Sequence, residues 1–215
     1  MARVLLSVPT GDGLIWSMVD EALGNLDRGG HEIVQRNVSF YGVDEAREIM
    51  AQTALDEGCD YLFMVDSDTV VPENALVDLM SNGVDVCLGY YERGSDDGGR
   101  TAVIEIGHND YRVSYQADEL KEMRDDGDVI VRVKGGGMGC ALIRTVVFDR
   151  IPKPWFLHQR NQDGSSLGED YYFCEKCGNN GVHVYVDTRV GCDHLKLTYR
   201  RMRDGKGSLR LPEQA

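Results

Sequence analysis

The strongest constraint on the fold is a run of five apolar residues, Tyr61–Val65, which is followed at once by Asp66 and then by Asp68. A short apolar run of this kind predicts a strand that is buried on both faces, as in a parallel sheet with helices on either side. Ligands of open α/β sheets bind beyond the carboxyl ends of the strands, so both carboxylates are expected at a binding edge. Carboxylate oxygens there suit Mg²⁺ or Mn²⁺, which share their coordination with phosphates.

Strand and helix patterns alternate through the first part of the chain. Strands are predicted at 4–8, 32–40, 61–65 and 84–88, and helices at 14–26, 44–57 and 72–82. This alternation predicts an α/β fold with a mainly parallel central sheet flanked by helices. Residues 90–100 form a polar, glycine-rich loop. Beyond it we predict short strands at 102–106, 111–115, 129–133 and 182–186, an apolar run at 140–143, and helices ending at residue 150 and spanning 171–179.

Length and composition indicate one globular domain over 1–215, because 42% of the residues are hydrophobic and 27% are charged. No stretch has the shape of a signal peptide or approaches the length of a membrane span, so a cytoplasmic protein is expected. The six cysteines are scattered and are expected to be reduced thiols. Cys174 and Cys177 form a CxxC, but no second pair stands at zinc-ribbon spacing.

Three polar features, Asp66-Ser67-Asp68, Glu169-Asp170 and His194, occur in an order that resembles glycosyltransferases of the GT-A fold. The resemblance is to family-2-like enzymes of bacteria and their phages, and it spans about residues 4–196. Its matching segments are the apolar strand ending in DSD, then GGGMGCALIR, PWF, GEDYYFCEKCGNNG and VYVDTRVGCDHL. In such a fold residues 1–100 would bind the nucleotide sugar, residues 101–195 would form the acceptor and catalytic half, and residues 196–215 would be a basic lid or tail.

The resemblance implies transfer of a sugar from a UDP- or GDP-sugar with the help of Mn²⁺ or Mg²⁺. Asp68 and His194 would bind the metal together with the two phosphates, and the imidazole favours Mn²⁺. Asp66 would lie near the ribose or hold a metal-bound water, as the less direct ligand of the metal. A surface histidine is the alternative for His194.

Asp170 resembles the general base of an inverting transfer, which takes the proton of the acceptor hydroxyl. A position at a helix N-terminus would keep its carboxylate ionised. Glu169 is the lesser catalytic candidate and would position the acceptor or cap the helix. The alternative is that both are ordinary acids of a first helical turn.

Further residues are matched to the donor by position. Thr10 and Asp12 would hold the nucleoside, Ser67 and Lys196 would lie against the donor, and Gly136 and Gly137 would border the donor sugar and the acceptor. Arg47 could reach a phosphate or be a solvated helix residue. The glycines could equally form a tight turn, and Trp155 could stack on a sugar or be buried.

The net charge of −13 argues against a chain that coats nucleic acid with its whole surface. The segment from 196 to 210 reverses that charge locally, with one acid, Asp204, among six cations: Lys196, Arg200, Arg201, Arg203, Lys206 and Arg210. This segment could be a solvated tail, a lid over the donor diphosphate, or a grip on an anionic acceptor. Of the last two, the lid is favoured. A modified DNA base, a glycan or a protein hydroxyl all remain candidate acceptors.

Two other functions compete with glycosyl transfer. Asp66-Ser67-Asp68-Thr69 also resembles the first motif of haloacid-dehalogenase-like phosphatases, in which Asp66 would be the nucleophile. That motif normally lies on the first strand, and paired acids on a later strand are needed, whereas 184–188 offers Asp187 alone. A non-catalytic nucleotide-sugar-binding module is the second alternative. No GxxxxGK[ST] is present, which argues against a P-loop nucleotidase.

Overall fold

A computed structural model describes residues 1–93, 99–104, 114–160 and 164–196. The helices of this part of the chain are α1 (Ser17–Gly24), α2 (Val43–Asp56), α3 (Ala75–Ser81), α4 (Ala117–Asp125), α5 (Val146–Arg150) and α6 (Glu169–Asn179). The strands are β1 (Arg3–Ser7), β2 (Pro9–Thr10), β3 (Glu32–Gln35), β4 (Val38–Ser39), β5 (Tyr61–Val65), β6 (Thr69–Val70), β7 (Val86–Tyr90), β8 (Arg100–Ile104), β9 (Ser114–Gln116), β10 (Ile130–Val133), β11 (Cys140–Arg144), β12 (Gln159–Arg160), β13 (Ser166–Leu167), β14 (Val184–Gly191) and β15 (Asp193–His194).

The described strands build a seven-stranded central sheet in the order β10-β14-β7-β11-β5-β1-β3. Strands β3, β1, β5, β7 and β14 run in one direction, while β11 and β10 run in the other. The predicted α/β fold with a mainly parallel, helix-flanked sheet is therefore confirmed. The antiparallel β11 between β5 and β7 makes the sheet mixed, and the sequence had indicated only an apolar run there.

Strand β5 lies inside the sheet between β1 and β11, and its side chains enter a core on each face. Leu62 and Met64 belong to the core beneath α2 and α6, whereas Phe63 and Val65 belong to the core beneath α1 and α3. This alternation is the two-residue period of a strand with both faces covered. Because β5 has no solvent face, its register is fixed, and with it the position of Asp66 at its carboxyl end.

Helix α2 forms as its sequence indicates, and it carries Arg47 in its first turns. Ala46, Met50 and Ala54 repeat at four-residue spacing and are buried against the sheet. Gly58 follows the helix with a φ of +63°, the left-handed conformation that glycine adopts at helix C-termini. Since α2 packs against β1, β2, β4 and β5, its first turns lie next to the end of β5.

The described structure differs from the sequence prediction in two helices. Helix α1 begins only at Ser17, because the backbone N–H of Trp16 is bonded to the carbonyl of Ser67 and holds the preceding residues in a loop. Helix α4 was not predicted, although Gln116 and Glu119 form a capping box at its start. The polar composition of this segment gave no buried stripe to detect. Predicted strand residues 105, 106 and 111–113 lie outside the described residues.

None of the described helices has both the length and the apolar composition needed to cross a membrane.

Candidate active site

Asp66 is held at the end of β5 by backbone hydrogen bonds on both sides. Its N–H donates to the carbonyl of Gly139 (3.0 Å), and its own carbonyl accepts the N–H of Thr69 (3.0 Å) in a tight turn. The same turn contains Ser67 and Asp68, both half-buried. The DSD motif is therefore a rigid turn at the carboxyl edge of the sheet, where the sequence predicted it.

Asp68, which directly precedes β6, and His194 on β15 form a pair. Strand β15 runs antiparallel to β6, and the N–H of Leu195 donates to the carbonyl of Asp68 (2.8 Å). The Asp68 Oδ2 lies 3.4 Å from the Nε2 of His194, and their side chains are 39% and 21% exposed. The interaction with Asp68 raises the pKa of His194, against the lowering effect of burial.

Two groups outside this pair fix the orientation of the His194 ring. The carbonyl of Glu92 lies 3.3 Å from Nδ1, and the ring centroid lies 5.1 Å from that of Tyr91. A carbonyl can only accept, so Nδ1 carries a proton; Nε2 donates to Asp68 when the ring is protonated, and a neutral ring would offer the Nε2 lone pair to a cation shared with Asp68.

Arg47 connects the DSD turn to the start of α6. Its Nη2 donates to both carboxylate oxygens of Asp66 (2.9 and 3.1 Å), and its Nη1 donates to the Oε1 of Glu169. Arg47 is only 2% exposed, so the interpretation of a solvated helix arginine is wrong. Burial alone would lower the pKa of Arg47, but the two carboxylates raise it by more. The guanidinium therefore stays charged.

Asp170 lies in the first turn of α6 but outside this ion-paired cluster. Its Oδ1 accepts the N–H of Tyr171 (2.7 Å), and the helix begins after Gly168 without a side-chain cap. Burial, followed by the charge of Glu169, raises the pKa of Asp170 above the ordinary range of aspartate. Two adjacent carboxylates thus have different environments, because in the described part of the chain Glu169 is paired to a cation and Asp170 is not.

The glycine-rich segment before β11 is buried, and Tyr91 fills the space beside it. A Cβ at Gly137 would overlap the hydroxyl of Tyr91, and a Cβ at Gly139 would stand 2.9 Å from the Oγ1 of Thr69. At Gly136 it would stand 2.9 Å from the side chain of Leu88. Close packing therefore requires these glycines, whether or not a ligand also approaches them.

The loop after β2 lies beside the DSD turn. Thr10 is buried and its Oγ1 is 2.6 Å from the Oγ of Ser39, while the exposed Asp12 accepts the N–H of Leu14 (3.0 Å). Trp16 joins this loop to the DSD turn through the carbonyl of Ser67 (3.2 Å).

Comparison with solved structures identifies the fold. A197 from STIV matches 90% of the chain and 86% of its own length with a TM-score of 0.60 and 21% identity. GalNAc-T7, solved with UDP, GalNAc and Mn²⁺, matches 91% of the chain with a TM-score of 0.54 and 14% identity. TarS 1–349 from S. aureus, solved with UDP-GlcNAc, matches 91% with a TM-score of 0.51 and 11% identity. All three are GT-A structures.

The chain has the GT-A fold. It spans 44% of the GalNAc-T7 chain and 59% of the TarS chain. No family model and no curated protein sequence matches it. The resemblance seen in the motifs is thus confirmed at the level of the fold.

The donor atoms at the edge of this GT-A sheet fit a divalent cation that shares its coordination with a ligand. Within the described ranges, no three His, Cys, Asp or Glu side chains are grouped closely enough to bind a metal by themselves. Asp68 and His194 offer one oxygen and one nitrogen, both partly exposed. Mg²⁺ and Mn²⁺ sites often have such a small protein contribution, which substrate phosphates and water complete.

Two sequence candidates lie apart from these contacts. Trp155 is buried in the core, where its Nε1 donates to the carbonyls of Phe148 and Ile151, and this favours packing over sugar stacking. Lys196 is exposed and its Nζ donates to the carbonyl of Arg93. The remaining basic residues of the segment lie outside the described residues.

Sequence reasoning missed two aromatic residues at this edge of the GT-A fold. Tyr91 was assigned to a polar loop, yet its hydroxyl accepts the N–H of Gly139 (3.2 Å), and burial raises its pKa well above that of a free tyrosine. Phe40 is 77% exposed, has a φ of +69° and lies over Gly13, within 2.8 Å of the position of a Cβ there. Neither residue belongs to a motif that could have marked it in the sequence.

Proposed function

We propose that this chain is a metal-dependent glycosyltransferase that moves a sugar from a nucleotide diphosphate sugar to an acceptor hydroxyl with inversion of the anomeric centre. One observation supports this proposal above the others. At one edge of a GT-A sheet, the Asp68–His194 pair adjoins Asp66, and Arg47 links Asp66 to the Glu169–Asp170 turn. The Asp68–His194 pair could thus bind a metal at the donor diphosphate, while Asp170 could accept the proton of the acceptor hydroxyl.

The donor diphosphate is the group that the Asp68–His194 pair suits. Mn²⁺ or Mg²⁺ bound there supplies Lewis-acid stabilisation of the negative charge on the departing diphosphate. Asp68 and His194 would hold the ion, and the Glu92 carbonyl would keep the imidazole oriented. Asp66, whose carboxylate is bonded to Arg47, would face the ribose or a water of the metal.

Asp170 is the group that we assign to the acceptor. In the transfer, the acceptor oxygen forms a bond to the anomeric carbon, the bond from that carbon to the phosphate oxygen breaks, and the acceptor proton passes to Asp170. A raised pKa suits this role, because a general base works best when its pKa approaches the working pH. Glu169 is unsuited to it, since its carboxylate is paired with Arg47.

Phe40 is the residue that we infer stacks on the nucleobase, beyond Thr10 and Asp12. Phe40 carries two free-energy costs: its apolar ring is mostly exposed to water, and its backbone is in the left-handed conformation, which strains a residue other than glycine. Backbone strain of this kind is concentrated at functional positions. Phe40 is tied to the nucleoside loop, because its N–H donates to the carbonyl of Thr10 (3.0 Å).

Phe40→Gly tests this inference, because it removes the ring and relieves the backbone strain together. We expect the free energy of nucleotide binding to weaken by about 1–3 kcal/mol, as for other base–aromatic stacks. The melting temperature of the free protein should not fall, since glycine adopts a positive φ without penalty. Tyr41→Gly, at an exposed neighbour, is the control. Equal nucleotide affinity in wild type and Phe40→Gly would refute the stacking role.

The acceptor is proposed only as a hydroxyl of a modified DNA base, a glycan or a protein. The basic segment that starts at Lys196 would close over the donor as a lid, and this stays a prediction because residues 197–215 are not among those described.

The environment of β14 speaks against the phosphatase alternative. A phosphatase of that type needs a further acid over the metal, and Asp187 is the acid that the sequence offers. Asp187 is completely buried, where it accepts hydrogen bonds from Asn82 (2.7 Å) and from Arg189 (2.6 Å). Its carboxylate is therefore already neutralised and enclosed within the fold.

The proposal is tested by incubating the protein with UDP- and GDP-sugars, Mn²⁺ and a panel of acceptors. The panel contains oligosaccharides, hydroxyl-bearing peptides and duplex DNA with hydroxymethylated bases. We expect release of nucleoside diphosphate and a product heavier by one sugar residue. Release of inorganic phosphate instead, abolished by Asp66→Asn, would support the phosphatase. Binding of the donor without any turnover would support the non-catalytic module.

A further inference from the structure

Arg47 joins two parts of the chain that are far apart in sequence. It stands 19 positions before Asp66 and 122 positions before Glu169, yet it donates to both carboxylates from one guanidinium group. Asp66 lies on the donor side of the site and Glu169 lies beside the proposed base. No other described cation contacts either of these carboxylates.

The shape of the guanidinium makes this contact directional as well as electrostatic. Its planar, rigid set of N–H groups directs Nη1 and Nη2 to different carboxylates, which a lysine ammonium could not do with fixed geometry. The burial of Arg47 prevents water from replacing either carboxylate, and its Nε has no hydrogen-bond partner among the described residues. The positive charge of the buried guanidinium is therefore compensated by the two carboxylates to which it donates.

Arg47 interacts differently with the three acids around it. Arg47 bonds directly to Asp66 and Glu169, whereas Asp170 is bonded to the N–H of Tyr171 and interacts with Arg47 only through space. The cation is close enough to matter to Asp170, since it favours the ionised form against burial and against the charge of Glu169.

We propose that Arg47 is a positioning residue that fixes the DSD turn relative to the start of α6 and, by pairing with Glu169, leaves Asp170 as the acid of that helix start without a direct cation contact among the described residues. The role of Asp170 as base rests on the proposed function, but the electrostatic arrangement does not. Arg47 thus acts through the two carboxylates and not as a direct ligand of the donor phosphates.

Several groups from different elements act on Asp170 and must be considered together. Burial raises its pKa, as does the charge of Glu169 and more weakly that of Asp66, while Arg47 and the N–H of Tyr171 lower it. Two neutral side chains also face Asp170, Cys174 on α6 and Tyr91 after β7; burial raises the pKa of both, and the charge of Asp170 adds to this. Removing the Arg47 charge should therefore raise the pKa of Asp170, and removing the Glu169 charge should lower it.

The experiment measures the pKa of Asp170 by carboxyl-carbon NMR in the metal-free, ligand-free protein. Four variants are compared with wild type: Arg47→Met, Arg47→Lys, Glu169→Gln and Arg189→Met. Arg189 is a matched control, because it pairs with the buried Asp187 at a site away from Asp170. Arg189→Met and Arg47→Met should both lower the melting temperature, since the first leaves Asp187 and the second leaves both Asp66 and Glu169 without a direct cation partner.

We expect the pKa of Asp170 to rise in Arg47→Met, to fall in Glu169→Gln and to stay at the wild-type value in Arg189→Met. In Arg47→Lys the pKa should stay close to wild type because the charge is retained. If Arg47→Met does not fold, Glu169→Gln and Arg47→Lys still decide the question. An unchanged pKa in Glu169→Gln, or equal shifts in Arg47→Met and Arg189→Met, would overturn the proposal.

Kinetics separate the positioning role from mere stability. In Arg47→Lys we expect kcat to fall at least about tenfold with little change in KM for the donor, because small misplacements of reacting groups are costly. Wild-type kcat in Arg47→Lys would overturn the positioning role. If wild type transfers no sugar to any acceptor, the proposed function fails, whereas the NMR titration still tests the contacts of Arg47.

Discussion

Asp170→Asn is expected to lower kcat by about 10²–10⁴-fold, the usual loss when a general base is removed. The amide cannot accept the proton of the acceptor hydroxyl, but it preserves the volume of the side chain and can still accept the N–H of Tyr171. Affinity for the nucleotide sugar should be nearly unchanged, because Asp68, His194 and the nucleoside loop are untouched. Initial rates and calorimetric donor binding measure the two quantities separately.

The matched control is Glu175→Gln on the same helix, an exposed acid that should leave kcat unaltered. The anomeric configuration of the product, read by NMR, is the second check on Asp170. An inverted product agrees with direct attack assisted by a base. A retained product would exclude this role for Asp170 whatever the effect of the substitution on kcat.

The pH dependence of kcat is expected to report the ionisation of Asp170. Asp170 must be ionised to accept a proton, so kcat should fall as the pH decreases through its folded-state pKa. Since burial raises that pKa, the acid limb should lie above the pH at which an ordinary aspartate titrates.

Asp68→Ala is expected to remove the response of the proposed transfer rate to Mn²⁺ and to lower kcat/KM by about 10²–10³-fold. This range corresponds to several kcal/mol of stabilisation of the departing diphosphate, at tenfold per 1.36 kcal/mol. With His194 alone, the proposed ion would keep only one of its two proposed protein ligands. The rate as a function of Mn²⁺ concentration measures the effect.

Asp193→Ala is the control for this substitution. Asp193 is an exposed acid next to His194 on β15, and alternation along the strand directs it away from Asp68. Its removal changes the net charge by the same amount, so a similar loss in both variants would mean that Asp68 acts through general electrostatics and not as a ligand.

The sequence predicted well the parts of the molecule that local patterns determine. Strand β5 was predicted with its observed bounds, because a run buried on both faces between turn residues leaves no other register. The end of α2 was equally clear from Gly58. The Asp68–His194 pair followed from the family resemblance, and the structure brings the two side chains together.

The features that escaped prediction depend on contacts between distant segments. Nothing near Arg47 in the sequence reveals that Glu169 will fold against it. The sequence therefore left open that this buried, ion-paired arginine was a solvated helix residue. Tyr91 similarly became part of the site only through its hydrogen bond with Gly139. Such pairings are properties of the folded chain, because tertiary contacts decide burial more than local composition does.

The most direct test of a metal-bridged donor site is calorimetric titration of UDP- and GDP-sugars into the wild-type protein with and without Mn²⁺. We expect saturable binding of at least one nucleotide sugar that requires Mn²⁺ and is lost in Asp68→Ala but kept in Asp170→Asn. Equal affinity with and without Mn²⁺, or no binding of any nucleotide sugar, would contradict the proposed function.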